Sequence, residues 1–220
     1  MTKPFDLVIF DCDGVLIDSE LLSVQADIAC LAEYGIEMSA EEINERYTGT
    51  SGMVADLEAR FGRSLPGFGE RYRQLVRPLF EAELKAIPGV AAVVDSLACR
   101  RCVASSSSPE RLRHSLSLVG LYERFHPHIF SANEVARGKP APDLFLHAAA
   151  RMAATPQDCV VVEDSLPGVA AALAAGMTVI GFTGGGHCRP GHAARLATAG
   201  AAPVIAAMSD LPAVLARLRG

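Results

Sequence analysis

The acids of this sequence stand where apolar runs stop. Asp11-Cys12-Asp13-Gly14 directly follows Leu7-Val8-Ile9-Phe10. Two carboxylates two residues apart at the end of a buried strand can face one site, one as a nucleophile and the other as a proton carrier. The plainer reading is an Asp-Gly turn. A calcium loop of the EF-hand type is excluded, because Gly14 falls two positions early and Leu22 stands where the bidentate acid belongs. Glu163-Asp164 follows the run Cys159–Val162 in the same way. Adjacent acids at a strand end are often solvated, but oxygen donors with no matching His or Cys suit a hard cation, magnesium rather than zinc.

Other residues could hold an anion. Ser105-Ser106-Ser107-Ser108 follows the run Cys102–Ala104 and precedes Pro109. A helix cap with proline in its first turn explains them, and hydroxyls with free N–H groups at a helix start also bind anions. Lys139 lies in Gly138-Lys139-Pro140-Ala141-Pro142, where prolines restrict the backbone around it. A solvated loop lysine is the bland alternative. No phosphate loop of the G-x-x-x-x-G-K-[ST] type occurs, and Gly184-Gly185-Gly186 lacks the strand and helix a dinucleotide fingerprint needs. Cys99 and Cys102 have C-x-x-C spacing but precede a strand, where a redox pair should open a helix, and no second pair completes a zinc set. His187-Cys188-Arg189-Pro190-Gly191-His192 either borders a substrate or starts a helix; magnesium's preference for oxygen argues against a metal role there.

Four runs read as buried parallel strands: 5–10, 102–104, 159–162 and 177–182. Helical stretches around 109–119, 142–153 and 168–175 alternate with them, which indicates an α/β domain. From Leu16 to Pro88 the rhythm breaks into helices with no convincing strand. Asp18 or Ser19 could cap the first, which runs to about Tyr34. Ser39 and Glu42 form a capping-box pattern for the second; others fit 53–61 and 70–85. The stretch is too long for a crossover and reads as a helical insertion that ends at Pro88-Gly89. The expected fold is therefore α/β, a Rossmann-like parallel sheet core from residues 1–15 and 88–220 with an inserted helical cap domain over 16–87.

Of 220 residues, 50% are hydrophobic and 20% charged, a globular profile with enough chain for a core that needs no staple. The net charge of −5 with no basic tract predicts no nucleic acid and no membrane partner. No signal peptide and no run approaching a membrane span is found, so a cytoplasmic protein with six reduced cysteines is expected.

Taken in order, the motifs resemble the haloacid dehalogenase (HAD) superfamily over nearly the whole chain. The first is a hydrophobic strand followed by Asp11-Cys12-Asp13-Gly14-Val15-Leu16-Ile17-Asp18, the second Ser105, and the third Lys139 within Arg137-Gly138-Lys139-Pro140-Ala141-Pro142-Asp143. The fourth is Glu163-Asp164 with Ser165-Leu166-Pro167-Gly168, as in the β-phosphoglucomutase and sugar-phosphatase branch. Dehalogenating and phosphonate-cleaving relatives lack the second aspartate; its presence as Asp13 implies phosphoryl transfer. The resemblance implies that Asp11 attacks phosphorus to form an aspartyl-phosphate, while Asp13 protonates the leaving alcohol and then helps activate water. It assigns Mg²⁺ to Asp11, the backbone carbonyl of Asp13, and Asp164, with Glu163 assisting. It gives Lys139, Ser105 and the Ser106 N–H to the phosphoryl oxygens. Asp13, further from the metal, can keep a proton.

In this branch a cap segment near Thr48, Gly49 and Ser51 faces the substrate. The position that carries a sugar-gripping arginine in β-phosphoglucomutase corresponds to Gly52, with Arg46 or Arg60 as substitutes. Its absence favours hydrolysis over mutation. The expectation is a phosphatase of a small phosphorylated metabolite, a sugar phosphate or sugar-acid phosphate, acting as a monomer or weak dimer. A phosphomutase is the alternative, and a non-catalytic regulator on the same fold is disfavoured by the intact acidic set. Hinges are expected near 15–18 and 88–89.

Overall fold

The computed structural model describes residues 5–47 and 52–218. Strand β1, Leu7–Phe10, is buried at every position and alternates its side chains between two apolar layers, Val8 and Phe10 on one face and Leu7 and Ile9 on the other. Four helices follow: α1 (Glu20–Glu33), α2 (Ala40–Tyr47), α3 (Met53–Phe61) and α4 (Phe68–Glu83). Then come α5 (Val90–Ser96), β2 (Arg100–Ser105), α6 (Pro109–Leu118), α7 (Tyr122–Phe125) and β3 (Ile129–Ser131). The chain continues through α8 (Asp143–Arg151), β4 (Cys159–Glu163), α9 (Leu166–Ala174) and β5 (Thr178–Phe182). It closes with α10 (His192–Thr198), β6 (Val204–Ile205) and α11 (Leu211–Leu218). Among the described residues no helix is long and apolar enough to cross a membrane.

The six strands pair in parallel in the order β3-β2-β1-β4-β5-β6. The order reverses at β1, whose neighbours are β2 and β4, and ligands bind beyond the strand ends at such a point. Phe10 lies level with Val103 on one side and Val162 on the other. The residues after these three strands are therefore brought to one edge. The Asp11 amide extends the pairing by donating to the Val162 carbonyl at 3.0 Å.

All four expected strands form, and two edge strands the sequence reading omitted, β3 and β6, are added. They have three and two residues, too few to show a pattern. β2 begins two residues earlier than the apolar run, because Arg100 and Arg101 at its entry pair with β1 despite their charge.

The insertion has its own apolar cluster, in which Val24, Leu31, Ile43, Leu57 and Phe68 meet. The capping box of α2 is present: the Glu42 amide donates to Ser39 Oγ at 3.1 Å and the Ser39 amide to Glu42 Oε2 at 3.3 Å. Two antiparallel tethers connect this insertion to the sheet. The Asp18 amide donates to the Lys85 carbonyl and the Ile87 amide to the Leu16 carbonyl, both at 2.9 Å.

Candidate active site

Asp11 is 6% exposed at the end of β1. Behind it lies Lys139, whose ammonium is 2.9 Å from Asp11 Oδ1 and 2.8 Å from Glu163 Oε2, with its charge also over the Phe145 ring at 5.0 Å. Glu163 takes its remaining bonds from Ser165, whose amide donates to Oε1 at 3.1 Å and whose hydroxyl donates at 2.6 Å. The same hydroxyl caps α9 by accepting from the Gly168 amide at 3.1 Å. One serine thus starts a helix and fixes an acid. A Cβ at Gly168 would lie 2.0 Å from Glu163 Cδ, so only glycine fits. Gly14 has φ +77°, and a Cβ there would lie 2.0 Å from Asp164 Oδ2.

Asp11, Glu163 and Asp164 are all buried and bring one ligand atom each within 4.8 Å of one another. Three acids against Lys139 and His187, which pairs with Asp164 Oδ2 at 3.0 Å, leave an excess of negative charge. Burial, followed by Glu163, pushes Asp11 well above the usual carboxylate range, although Lys139 opposes this. Burial raises Glu163 as well, with Lys139 again opposing. Lys139 itself is raised: burial disfavours its charge, but Asp11 and Glu163 more than compensate. Asp11 Oδ1 and Asp164 Oδ2 are buried without an aligned hydrogen bond. Three buried acids grouped together, excess negative charge and hard donors fit a divalent cation such as Mg²⁺.

Asp13 sits outside that trio. Ser19 Oγ donates to its Oδ1 at 2.6 Å, Ser107 Oγ to its Oδ2 at 2.7 Å, and Arg111 Nη2 to its Oδ1 at 3.0 Å. Burial pushes Asp13 up, but Arg111 and the two hydroxyls outweigh it, and its pKa lies below the usual value. In the substrate-free site a guanidinium and two O–H donors all favour the Asp13 anion.

The four serines divide their work. Ser108 caps α6 by accepting from the Arg111 amide at 3.3 Å. Ser107 holds Asp13, while Ser105 Oγ accepts from the Ser107 amide at 3.1 Å. Ser105, Ser106 and Ser107 line a cavity of about 430 Å³ together with Asp11, Asp13 and Arg111. Ser19, expected as a helix cap, makes no side-chain cap and serves Asp13 instead.

The insertion closes the other side of this cavity with Glu20, Ser23, Asp27, Tyr47, Gly52 and Tyr72. Thr48, Gly49 and Ser51 lie outside the described residues. Arg46 and Arg60 do not line the cavity; Arg60 pairs with Glu42 at 3.7 Å. The one cation among the described lining residues is Arg111, which the sequence reading missed. From α6 it also donates to Ser23 Oγ at 2.9 Å and to the Tyr72 hydroxyl at 2.7 Å, and it stacks over Phe80 at 4.9 Å. Glu20, Ser23 and Asp27 were missed too, although polar residues at i, i+3 and i+7 of one helix were the available signal. Burial, then Asp13, raises Glu20 to about 8, and burial raises Asp27 to about 7.

Residues 5–176 match the family model described as haloacid dehalogenase-like hydrolase. A 6-phosphogluconate phosphatase of Escherichia coli is 32% identical over 189 residues, 84% of this chain and 86% of its own. A conserved haloacid dehalogenase-like protein of unknown function from Agrobacterium tumefaciens has a solved structure 44% identical in sequence. Its TM-score is 0.84, over 98% of this chain and 100% of its own. A HAD family hydrolase from Deinococcus radiodurans, solved with bound phosphate and sodium, is 37% identical. Its TM-score is 0.77, over 97% of this chain and 96% of its own.

Proposed function

Because the chain belongs to the haloacid dehalogenase-like hydrolases, we propose that it is a Mg²⁺-dependent phosphatase acting through an aspartyl-phosphate on Asp11. It is a phosphoric monoester hydrolase of that family. Its substrate is a small phosphorylated metabolite, a sugar phosphate or a sugar-acid phosphate such as a phosphogluconate. The observation that carries the reading is Asp11, lining the cavity, backed by Lys139 at 2.9 Å and grouped with two further buried acids.

Hydrolases of this family generally use a divalent metal, typically Mg²⁺. Asp11, Asp164 and the Asp13 carbonyl would hold it, with Glu163 assisting. Bound there, it would offset the repulsion between a phosphate dianion and the acids. The protein's own residues do the rest. The Asp11 carboxylate forms a bond to phosphorus as the ester P–O bond breaks. Asp13 gives a proton to the leaving alcohol oxygen. Water then attacks phosphorus, Asp13 takes its proton, and Asp11 returns as carboxylate with release of inorganic phosphate. Lys139 orients Asp11, and with Ser105 and Ser106 it meets the phosphoryl oxygens as charge redistributes. A dianion arriving beside Asp13 raises its pKa by like charge, which supplies the protonated form the first step needs.

We take residues 16–87 as the cap and 1–15 with 88–220 as the core, pivoting at the tethers. Cap carboxyls and hydroxyls around the cavity suit the hydroxyls of a sugar chain. Arg111 is already engaged by Asp13, so among the described lining residues no free cation is at hand for a second phosphate, which favours hydrolysis over mutation. Six free cysteines suit a cytoplasmic protein.

The test is phosphate release from a panel of sugar and sugar-acid phosphates, with and without Mg²⁺. Release should require Mg²⁺ and vanish in Asp11→Asn, a loss beyond the ~10²–10⁴-fold typical of a missing acid or base. Unchanged turnover in Asp11→Asn would refute the nucleophile. An isomerised sugar phosphate in place of free phosphate would mean a mutase.

A further inference from the structure

We propose that His187, Cys188 and His192 form a site for a thiophilic divalent cation of the Zn²⁺ type, separate from the acidic group and joined to it through Asp164. The ligand atoms of the three side chains lie within 4.8 Å of one another. Cys188 Sγ is 3.5 Å from His187 Nε2. With Zn–S near 2.3 Å and Zn–N near 2.0–2.1 Å, the S···N edge of a tetrahedron is about 3.5 Å. Imidazole and thiolate select zinc-like ions over magnesium, so the two sites sort cations by donor type.

The site is held in shape before any ion arrives. His187 is 7% exposed, and its ring is pressed against two glycines: a Cβ on Gly14 would lie 2.9 Å from it and one on Gly185 2.8 Å. Its Nδ1 is buried with no partner. Backbone bonds fix the other two ligands, from the Cys188 amide to the Gly185 carbonyl at 3.1 Å and from the His192 amide to the Arg189 carbonyl at 3.0 Å. Cys188 and His192 are only half-buried, and a cavity of about 390 Å³ lined by both histidines gives a path of entry.

Asp164 is the link. His187 Nε2 is 3.0 Å from its Oδ2, and His192 Nε2 is 2.6 Å from its carbonyl oxygen. Binding sends to solvent the thiol proton of Cys188 and the proton shared by His187 Nε2 and Asp164. Asp164 then loses its imidazole partner or becomes the fourth ligand. A thiolate and Asp164 together bring two negative charges, which neutralise a dication. In either case the acidic group is disturbed, so a zinc-like ion inhibits the phosphatase.

Co²⁺ titrated into the full-length protein in excess Mg²⁺ reads the site through the thiolate-to-cobalt charge-transfer band. Mg²⁺ has no affinity for sulfur and should leave the band intact. One band per chain is expected, displaced by Zn²⁺, lost in Cys188→Ser and weakened in His192→Gln, with circular dichroism confirming that both variants fold. Absence of the band, or its persistence in Cys188→Ser, would overturn the proposal. Zn²⁺ should also inhibit phosphate release by the wild type at concentrations that leave Cys188→Ser active; equal inhibition of both would overturn the link to Asp164.

Discussion

A buried acid that must act as a carboxylate needs positive charge close by, and among the described residues Lys139 is the cation in direct contact with Asp11. Lys139 also neutralises Glu163, so removing it leaves two buried acids without their cation. Lys139→Met should destabilise the protein by about 3–5 kcal/mol in urea unfolding. Adding Glu163→Gln should restore part of that stability without restoring activity. Equal stability of the wild type and Lys139→Met would contradict the pairing. The same acids predict a pH effect. Asp11 and Glu163 titrate above their unfolded values, so the stability they allow is complete below about pH 4 and is lost as pH rises through their folded pKa values. Asp13, with a lowered pKa, acts in the opposite sense: its contribution is present above the ordinary carboxylate range and lost as pH falls. The increment that Mg²⁺ adds to the melting temperature isolates the acidic group. It should be larger at about pH 7.5 than at about pH 5, and no increment at either pH would contradict a cation site. At this scale the sequence was most legible. Asp11, Asp13, Ser105 and Asp164 are marked by residue type and by place after a strand, and Lys139 by the prolines beside it. The charge state of Asp13 was not legible, because it depends on Arg111, 98 positions away.

Between elements, Arg111 is the feature with the widest reach. It sits on α6, yet its guanidinium joins Asp13 to Ser23 of α1 and Tyr72 of α4. Tyr72 and Arg111 line both the cavity at Asp11 and a larger outer groove of about 950 Å³ between α4 and α6. The smaller cavity is the one lined by Asp11 and Asp13. Arg111→Gln removes a fork that fixes Asp13, Ser23 and Tyr72 together. Misplacing a catalytic group by about 1 Å costs on the order of 10²-fold, and kcat should fall to that extent while KM changes less. Tyr72→Phe should lose less, because the bonds to Asp13 and Ser23 remain. A rise in KM at unchanged kcat for Arg111→Gln would make it a binding residue rather than a positioning one. The insertion's helices were legible from their caps and spacing, and α3 spans the expected 53–61. Which of their faces turned toward the sheet was not, since that is set by packing across the tethers rather than by local pattern.

Across the whole molecule, the parallel order with its reversal at β1 brings residues from separated stretches of sequence to one edge of the sheet. Strand burial on both faces made the central strands legible as apolar runs, and the edge strands were too short to read. The central claim is that this assembly makes Asp11 a covalent carrier of phosphate. It is tested most directly by quenching a turnover reaction in acid, with a substrate found in the phosphate-release panel, and mapping the modified peptide by mass. One phosphoryl group should appear on the segment holding Asp11, dependent on Mg²⁺ and absent in Asp11→Asn. A phosphoryl group on a different segment, or phosphate release that continues unimpaired in Asp11→Asn, would contradict the claim.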